Sequence, residues 1–242
     1  MLFDPITPLP DGDFIFVDAG NIFTASKDIR SQNGMDLLNS NLLAQLAASK
    51  KYDRFSKADD WDRHYYNTLS NLAWRTGVTT HNSYQPPGLY FSIPEVVCKM
   101  FAAAFMPDEG VLAKTALGVL SQQPSDSTPR LVFDKNSHAC SAVNFLISVV
   151  NENGVVRELA LSFSTSEVIN NLLEQKFLTR GLIGKIDARI NISSLYEAGY
   201  ATLRAGVLDK LGNRINENIF DITPKSEIGI ECSQQFVESL VI

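Results

Sequence analysis

Three small groups of residues have the types and spacing to do chemistry. Asp18 closes the apolar run Phe14–Val17 and opens Asp18-Ala19-Gly20-Asn21. A carboxylate at the end of an apolar strand is where metal-dependent nucleases and phosphotransferases hold a metal ion or a phosphate. A nuclease needs two or three further acids at strand ends, and a phosphotransferase needs additional glycine loops. The downstream sequence offers neither, so a plain strand-end turn accounts for the same residues.

Asp60 and His64 stand four apart on a predicted helix, beside Tyr65 and Tyr66, and could share a metal ion or a proton. A helix N-terminal ion pair explains them as well. Asp134, Ser137, His138 and Cys140 cluster at the first strand of a predicted hairpin, which would point His138 and Cys140 to one face. This is the one place where a nucleophile and a base fall together, and the orienting third group would have to come from elsewhere. Local hydrogen bonds at a loop-to-strand transition are the competing account. His81 stands alone.

The elements that would position these groups follow from periodicity. Residues 1–34 are rich in Pro, Asp and Ser and predict an extended leader with one strand, Phe14–Val17. Leu38, Leu42, Leu46 and Ala47 predict a helix over Asp36–Lys50. Trp61, Tyr65, Leu69 and Leu72 predict a second over Trp61–Arg75, capped by Asp59 or Asp60 and stopped by Gly77. Short strands are expected at Val78–Tyr84 and Leu89–Ile93 around Pro86-Pro87-Gly88. Helices follow over Glu95–Met106 and Glu109–Leu120, forming an apolar hairpin.

Beyond the polar loop Gln122–Pro129 the pattern changes to alternation. Phe133–Val150 and Val155–Thr165 predict a hairpin around Asn151-Glu152-Asn153-Gly154, and Leu182–Ile192 a third strand with one wet face. Val168, Ile169, Leu172 and Leu173 predict a short helix between them. Ser194 and Glu197 predict a capping box for a helix striped by Leu195, Gly199, Leu203, Val207 and Leu211, with Gly199 and Gly206 allowing close approach to the sheet. Ile215–Ile222 and Glu227–Cys232 are further strand candidates.

Composition bounds the function. The chain has 242 residues, 45% of them hydrophobic and 20% charged, as in an ordinary folded protein. A net charge of −6 argues against a general nucleic-acid binder, which needs a surplus of Lys and Arg. Cys98, Cys140 and Cys232 are far apart and odd in number, which suits free thiols in a reducing compartment and implies a cytoplasmic protein. The apolar run Met100–Met106 falls far short of the ~20 residues of a bilayer span.

Leu42-Leu43-Ala44-Gln45-Leu46-Ala47-Ala48-Ser49-Lys50-Lys51, followed by Trp61, Tyr65, Leu69 and Trp74, resembles a pattern in uncharacterised microbial proteins. So does Arg130-Leu131-Val132-Phe133-Asp134-Lys135-Asn136-Ser137 with the strand-and-helix unit of Leu182–Leu211. The chain departs from that pattern at Ala73-Trp74, where Gly-Trp is expected. The resemblance implies one fold over Val17–Ile222 and supplies no catalytic residue.

The expectation is a single α+β domain over residues 1–242, with an N-terminal helical layer (lobe 1–123) packed on a C-terminal antiparallel sheet carrying a capped helix (lobe 129–242). The expected role is a non-catalytic interaction or structural protein, self-associating or binding a protein partner, with no cofactor and no nucleic acid. The alternatives are a hydrolase using Asp18 with a metal, or His138 with Cys140, and a membrane-active protein acting through the 94–120 hairpin.

Overall fold

The computed structural model describes residues 13–25 and 31–224. The expected strand over Glu227–Cys232 lies outside them. The described chain opens with the hairpin β1 (Phe14–Asp18) and β2 (Asn21–Ala25), then α1 (Gln32–Lys51), α2 (Ala58–Asn71), β3 (Trp74–Tyr84) and β4 (Tyr90–Phe91). The helices α3 (Ile93–Ala104), α4 (Pro107–Gln122) and α5 (Thr128–Ser137) follow, then β5 (His138–Ala139), β6 (Ala142–Val150), β7 (Val155–Thr165), β8 (Phe177–Leu178) and β9 (Leu182–Leu195). The described chain ends through α6 (Glu197–Ala201), α7 (Arg204–Leu211), α8 (Arg214–Asn218) and β10 (Ile219–Asp221).

The architecture is α+β, built on one mixed sheet in the order β10-β1-β2-β6-β7-β9-β3, with β5 appended to β6. Every pairing in it is antiparallel except β2 with β6. The layering differs from a helical half set on a sheet half. β1, β2 and β3 come from the first part of the chain and share the sheet with β6, β7 and β9.

Helices cover both faces at the centre of the sheet. Alternation along β6 sends Val143, Phe145, Ile147 and Val149 toward α3–α5, with Phe101, Leu117 and Phe133, while Leu146 and Val150 join Leu38, Leu42, Trp61 and Tyr65 of α1 and α2. The wet face expected from β9 is therefore dry over β6 and β7. The apolar side of the α3–α4 hairpin (Val97, Phe101, Ala113, Leu117, Leu120) is buried in the core. Among the described residues no helix is long and apolar enough to cross a membrane.

Several boundaries depart from the periodic pattern, each for a local reason. The second helix stops at Asn71, because Ala73 takes a left-handed φ of 64° and turns Trp74 into β3. A left-handed residue is the common helix terminator, here an alanine rather than Gly77. Asp59 and Asp60 fall inside the first turn; the turn before the helix is tied by Asp53, whose carboxylate accepts from Phe55 N at 3.1 Å and Ser56 N at 2.7 Å.

The first part of the expected strand Phe133–Val150 is the helix α5, since a short apolar run does not separate helix from strand. Val168–Leu173 is turn and irregular chain, not a helix. Ser194 lies within β9, so no capping box with Glu197 forms, and the expected long helix breaks at Thr202-Leu203 into α6 and α7. A Cβ on Gly199 would crowd Tyr196 and Ala73, whereas Gly206 faces open space. Only one of these glycines serves close packing.

Candidate functional site

Asp18 ends β1 opposite Asn21 across a tight turn, with Ala19 at φ 50°. Strand alternation points both side chains, with those of Ser148 and Glu158, under α1 and α2. Asp18 is fully buried, and neither carboxylate oxygen has a hydrogen-bond partner. Burial pushes its pKa well above the ordinary value; the Arg54 guanidinium opposes this and Glu158 adds to it.

Arg54, from the link between α1 and α2, is the cation of this interior. Its guanidinium lies over the Trp61 ring, 4.1 Å from the centroid, and donates to Gln45 Oε1 at 3.2 Å and to the Gly20 carbonyl at 3.3 Å. Gln45 in turn donates to the Asp18 carbonyl at 2.8 Å and accepts from Gly20 N at 3.1 Å. A Cβ at position 20 would overlap the Arg54 guanidinium and the Asn136 carbonyl, so glycine is required there by space. Burial lowers the Arg54 pKa to about 10, against the raising effect of Asp62 and other neighbours.

Glu158, on β7, is the second centre. It accepts from the hydroxyls of Tyr65 (2.8 Å), Tyr66 (2.9 Å) and Ser148 (3.3 Å), and from Asn21 Nδ2 at 3.5 Å. Burial raises its pKa while the hydroxyl donors pull it back. Asp62 sits nearer the rim, paired with Arg189 at 2.9 Å. Its pKa is pushed up to about 6, mainly by burial, with Arg189 and Arg54 opposing.

The sequence singled out Asp18 but missed Arg54, Asp62 and Glu158; it placed Tyr65 on the apolar stripe of the second helix and Tyr66 only beside His64. One signal was available: Asn41 and Gln45 stand four apart beside the apolar stripe of α1, where polar side chains need buried partners.

These groups are packed away from solvent: Asp18, Asn21 and Asn41 are wholly buried, and Glu158 is 4% exposed. The arrangement fixes the α1–α2 pair on the sheet through charge-assisted hydrogen bonds. Asp18, Arg54 and Glu158 present no open face to a substrate; only at the rim do Tyr66 and Arg189 reach the surface.

The other sequence candidates do not converge. Asp60 pairs with Arg63, and the His64 ring packs edge-on against Tyr52 with centroids 5.9 Å apart. Cys140 is exposed, in the turn between β5 and β6, at a left-handed φ of 53° that breaks the alternation expected to align it with His138. His138 is half-buried; burial lowers its pKa and Asp134 opposes this. Its Nδ1 has no partner, and no hydrogen bond joins it to Cys140. Among the described residues no three His, Cys, Asp or Glu side chains gather in a way that could hold a metal ion.

The opposite situation holds at β3. This strand of 11 residues is the last in the sheet, and from Arg75 through Ser83 it is exposed on both faces. Thr79 Oγ1 donates to Asn191 Oδ1 at 2.6 Å, and His81 lies 3.7 Å from Asp187, both across to β9. Toward α2 the strand borders a shallow, open cleft of about 380 Å³ whose walls include Asp59, Tyr66, Arg189 and Asn191. The far edge of the sheet, β10, has 3 residues.

No protein-family model matches this chain, and no curated protein matches it.

Proposed function

We propose that this chain is a non-catalytic interaction protein that accepts a partner strand along β3. The observation that carries the reading is an edge strand of 11 residues, exposed on both faces from Arg75 through Ser83, with no strand on its outer side among the described residues. Such an edge is a ready template for strand addition, in which main-chain hydrogen bonds supply affinity. Folded proteins usually blunt these edges with Pro, Lys or short length. β3 has neither Pro nor Lys, and its one irregularity is the bulge between Thr76 and Val78.

The non-catalytic half is supported by the dispersal of the acids and imidazoles. The polar cluster that holds Asp18 lies under α1 and α2 with its charged centres buried, and hydrolysis needs a group that reaches substrate. The free thiols of Cys98 and Cys140 favour a reducing compartment such as the cytoplasm.

Two measurements test this. In amide hydrogen exchange on the dilute chain, the β3 N–H groups aimed away from β9 should exchange freely while those aimed at β9 are protected. Protection of both sets means the edge is already covered and overturns the docking role. Model esters and phosphodiesters, with and without divalent metal, should show no turnover. Turnover lost in Asp18→Asn or in Cys140→Ser overturns the non-catalytic role in favour of a hydrolase.

A further inference from the structure

We infer that the strand received by β3 is β3 of a second copy, paired antiparallel about a two-fold axis through His81; this rests on the docking role proposed above. Beyond the bulge, the regular part of the strand is Val78–Tyr84, and its midpoint is His81. Antiparallel pairing of that stretch with itself sets Val78 against Tyr84, Thr79 against Ser83 and Thr80 against Asn82, each twice. These are a β-branched–aromatic pair, a hydroxyl pair and a neutral polar pair, the kinds of neighbour that favour cross-strand association. The stretch is self-complementary in chemistry as well as in length.

Charge points the same way. Two copies with 27 acidic and 21 basic residues each repel overall. The Val78–Tyr84 stretch carries no carboxylate, Lys or Arg, so the one ionisable pair that the axis brings face to face is His81 with its copy. Arg75, the strand's one permanent charge, lies outside the pairing and is stacked over its own Tyr196 at 3.9 Å. Each His81 already has its own chain's Asp187 beside it. A strand joined to its own copy closes as a two-fold dimer and leaves no second β3 edge to propagate a fibre. Seven residues of a single strand make a small contact, so the dimer is weak and concentration-dependent.

A charge swap at one cross-strand pair tests both the partner and the register. Thr80 and Asn82 are exposed, and their neighbours on β9, Ile190 and Ala188, are apolar, so charges added there meet none on β9. One chain carries Thr80→Lys with Asn82→Lys, the other Thr80→Glu with Asn82→Glu; circular dichroism checks that both fold. By sedimentation across a concentration series, the unmodified chain should rise to twice its monomer mass. Each charged chain alone should stay monomeric, and a 1:1 mixture should recover the dimer.

An unmodified chain that stays monomeric at every concentration overturns the self-pairing, and so does a dimer that both charged chains retain. A mixture that fails to dimerise overturns the register about His81. Hydrogen exchange separates these failures from that of the parent proposal: a monomer with freely exchanging outer amides still has a docking edge, and a monomer with protected ones has none.

Discussion

Glu158 and Asp187 point to the same side of one sheet from neighbouring strands, yet one is dry and the other wet. Glu158 is 4% exposed and holds four donors, whereas the Asp187 side chain is 53% exposed and is 3.7 Å from His81. Nothing in the strands themselves separates the two. The α1–α2 pair closes over Glu158 on β7 and reaches Arg189 and Asn191 on β9, but stops short of Asp187 and of β3 beyond Trp74, and that cover turns one carboxylate into a structural centre. The covered region holds the fold together, and under the docking role proposed above the exposed β3 edge is the part that would meet another chain.

The sharpest way to break this contrast is to truncate both acids. Glu158→Ala strands the Tyr65 and Tyr66 hydroxyls, Ser148 and Asn21 in the interior and should cost about 3–5 kcal/mol in urea unfolding. Asp187→Ala should stay within about 0.5 kcal/mol. Equal costs would remove the distinction between the two regions.

Acidity sharpens it next. Asp62 binds its proton more tightly folded, with a pKa of about 6, than unfolded, near the ordinary carboxylate value. Its protonation therefore favours the fold fully below about pH 4, and that contribution is lost as the pH rises to about 6. Unfolding free energies should show Asp62→Asn gaining on the unmodified chain by the order of 3 kcal/mol across that window. His138 titrates in both chains and cancels. A flat difference would mean that Asp62 is not held in the dry region.

Gly20→Ala pushes a methyl into the Arg54 guanidinium and the Asn136 carbonyl, and should cost about 1–3 kcal/mol as overpacking. Gly184→Ala, in β9 with open space around it, isolates the backbone contribution, because its φ of 80° makes any side chain strained. A loss at Gly20 no deeper than that at Gly184 would count against tight packing around Arg54.

The smallest expected effect is a gain. Ala73 sits at φ 64°, where glycine pays no steric penalty. Ala73→Gly should stabilise by about 1 kcal/mol in thermal unfolding, the order of the left-handed cost for an L-residue. A loss would show that the packing of the Ala73 methyl against the core outweighs the strain.

Much of the frame was legible in the residues. Val155–Thr165 is a strand with the predicted ends, because period-two alternation begins just after the Asn-Gly turn that closes its hairpin. α1 was legible from its apolar stripe. Arg130–Ser137 was not, because a handful of apolar residues fits either period. The buried cluster was illegible for a different reason: Glu158 alternates with Leu159 and Leu161 as a solvent-facing residue would, and its spacing is the same whether water or Tyr65 stands opposite. Ala73, noted as a departure from an expected glycine, marked the helix end more truly than Gly77 did.

The order of residues alone determined which segments are helix and which are strand over most of the chain, its acidity, and its shortage of clustered imidazoles and thiols, since these follow from local spacing and counting. Only the tertiary structure decided that Arg54, Asp62 and Glu158 share an interior with Asp18, and that β3 is the last strand of the sheet among the described residues. Both depend on which surfaces α1 and α2 reach, and that is set by contacts between residues far apart in the chain.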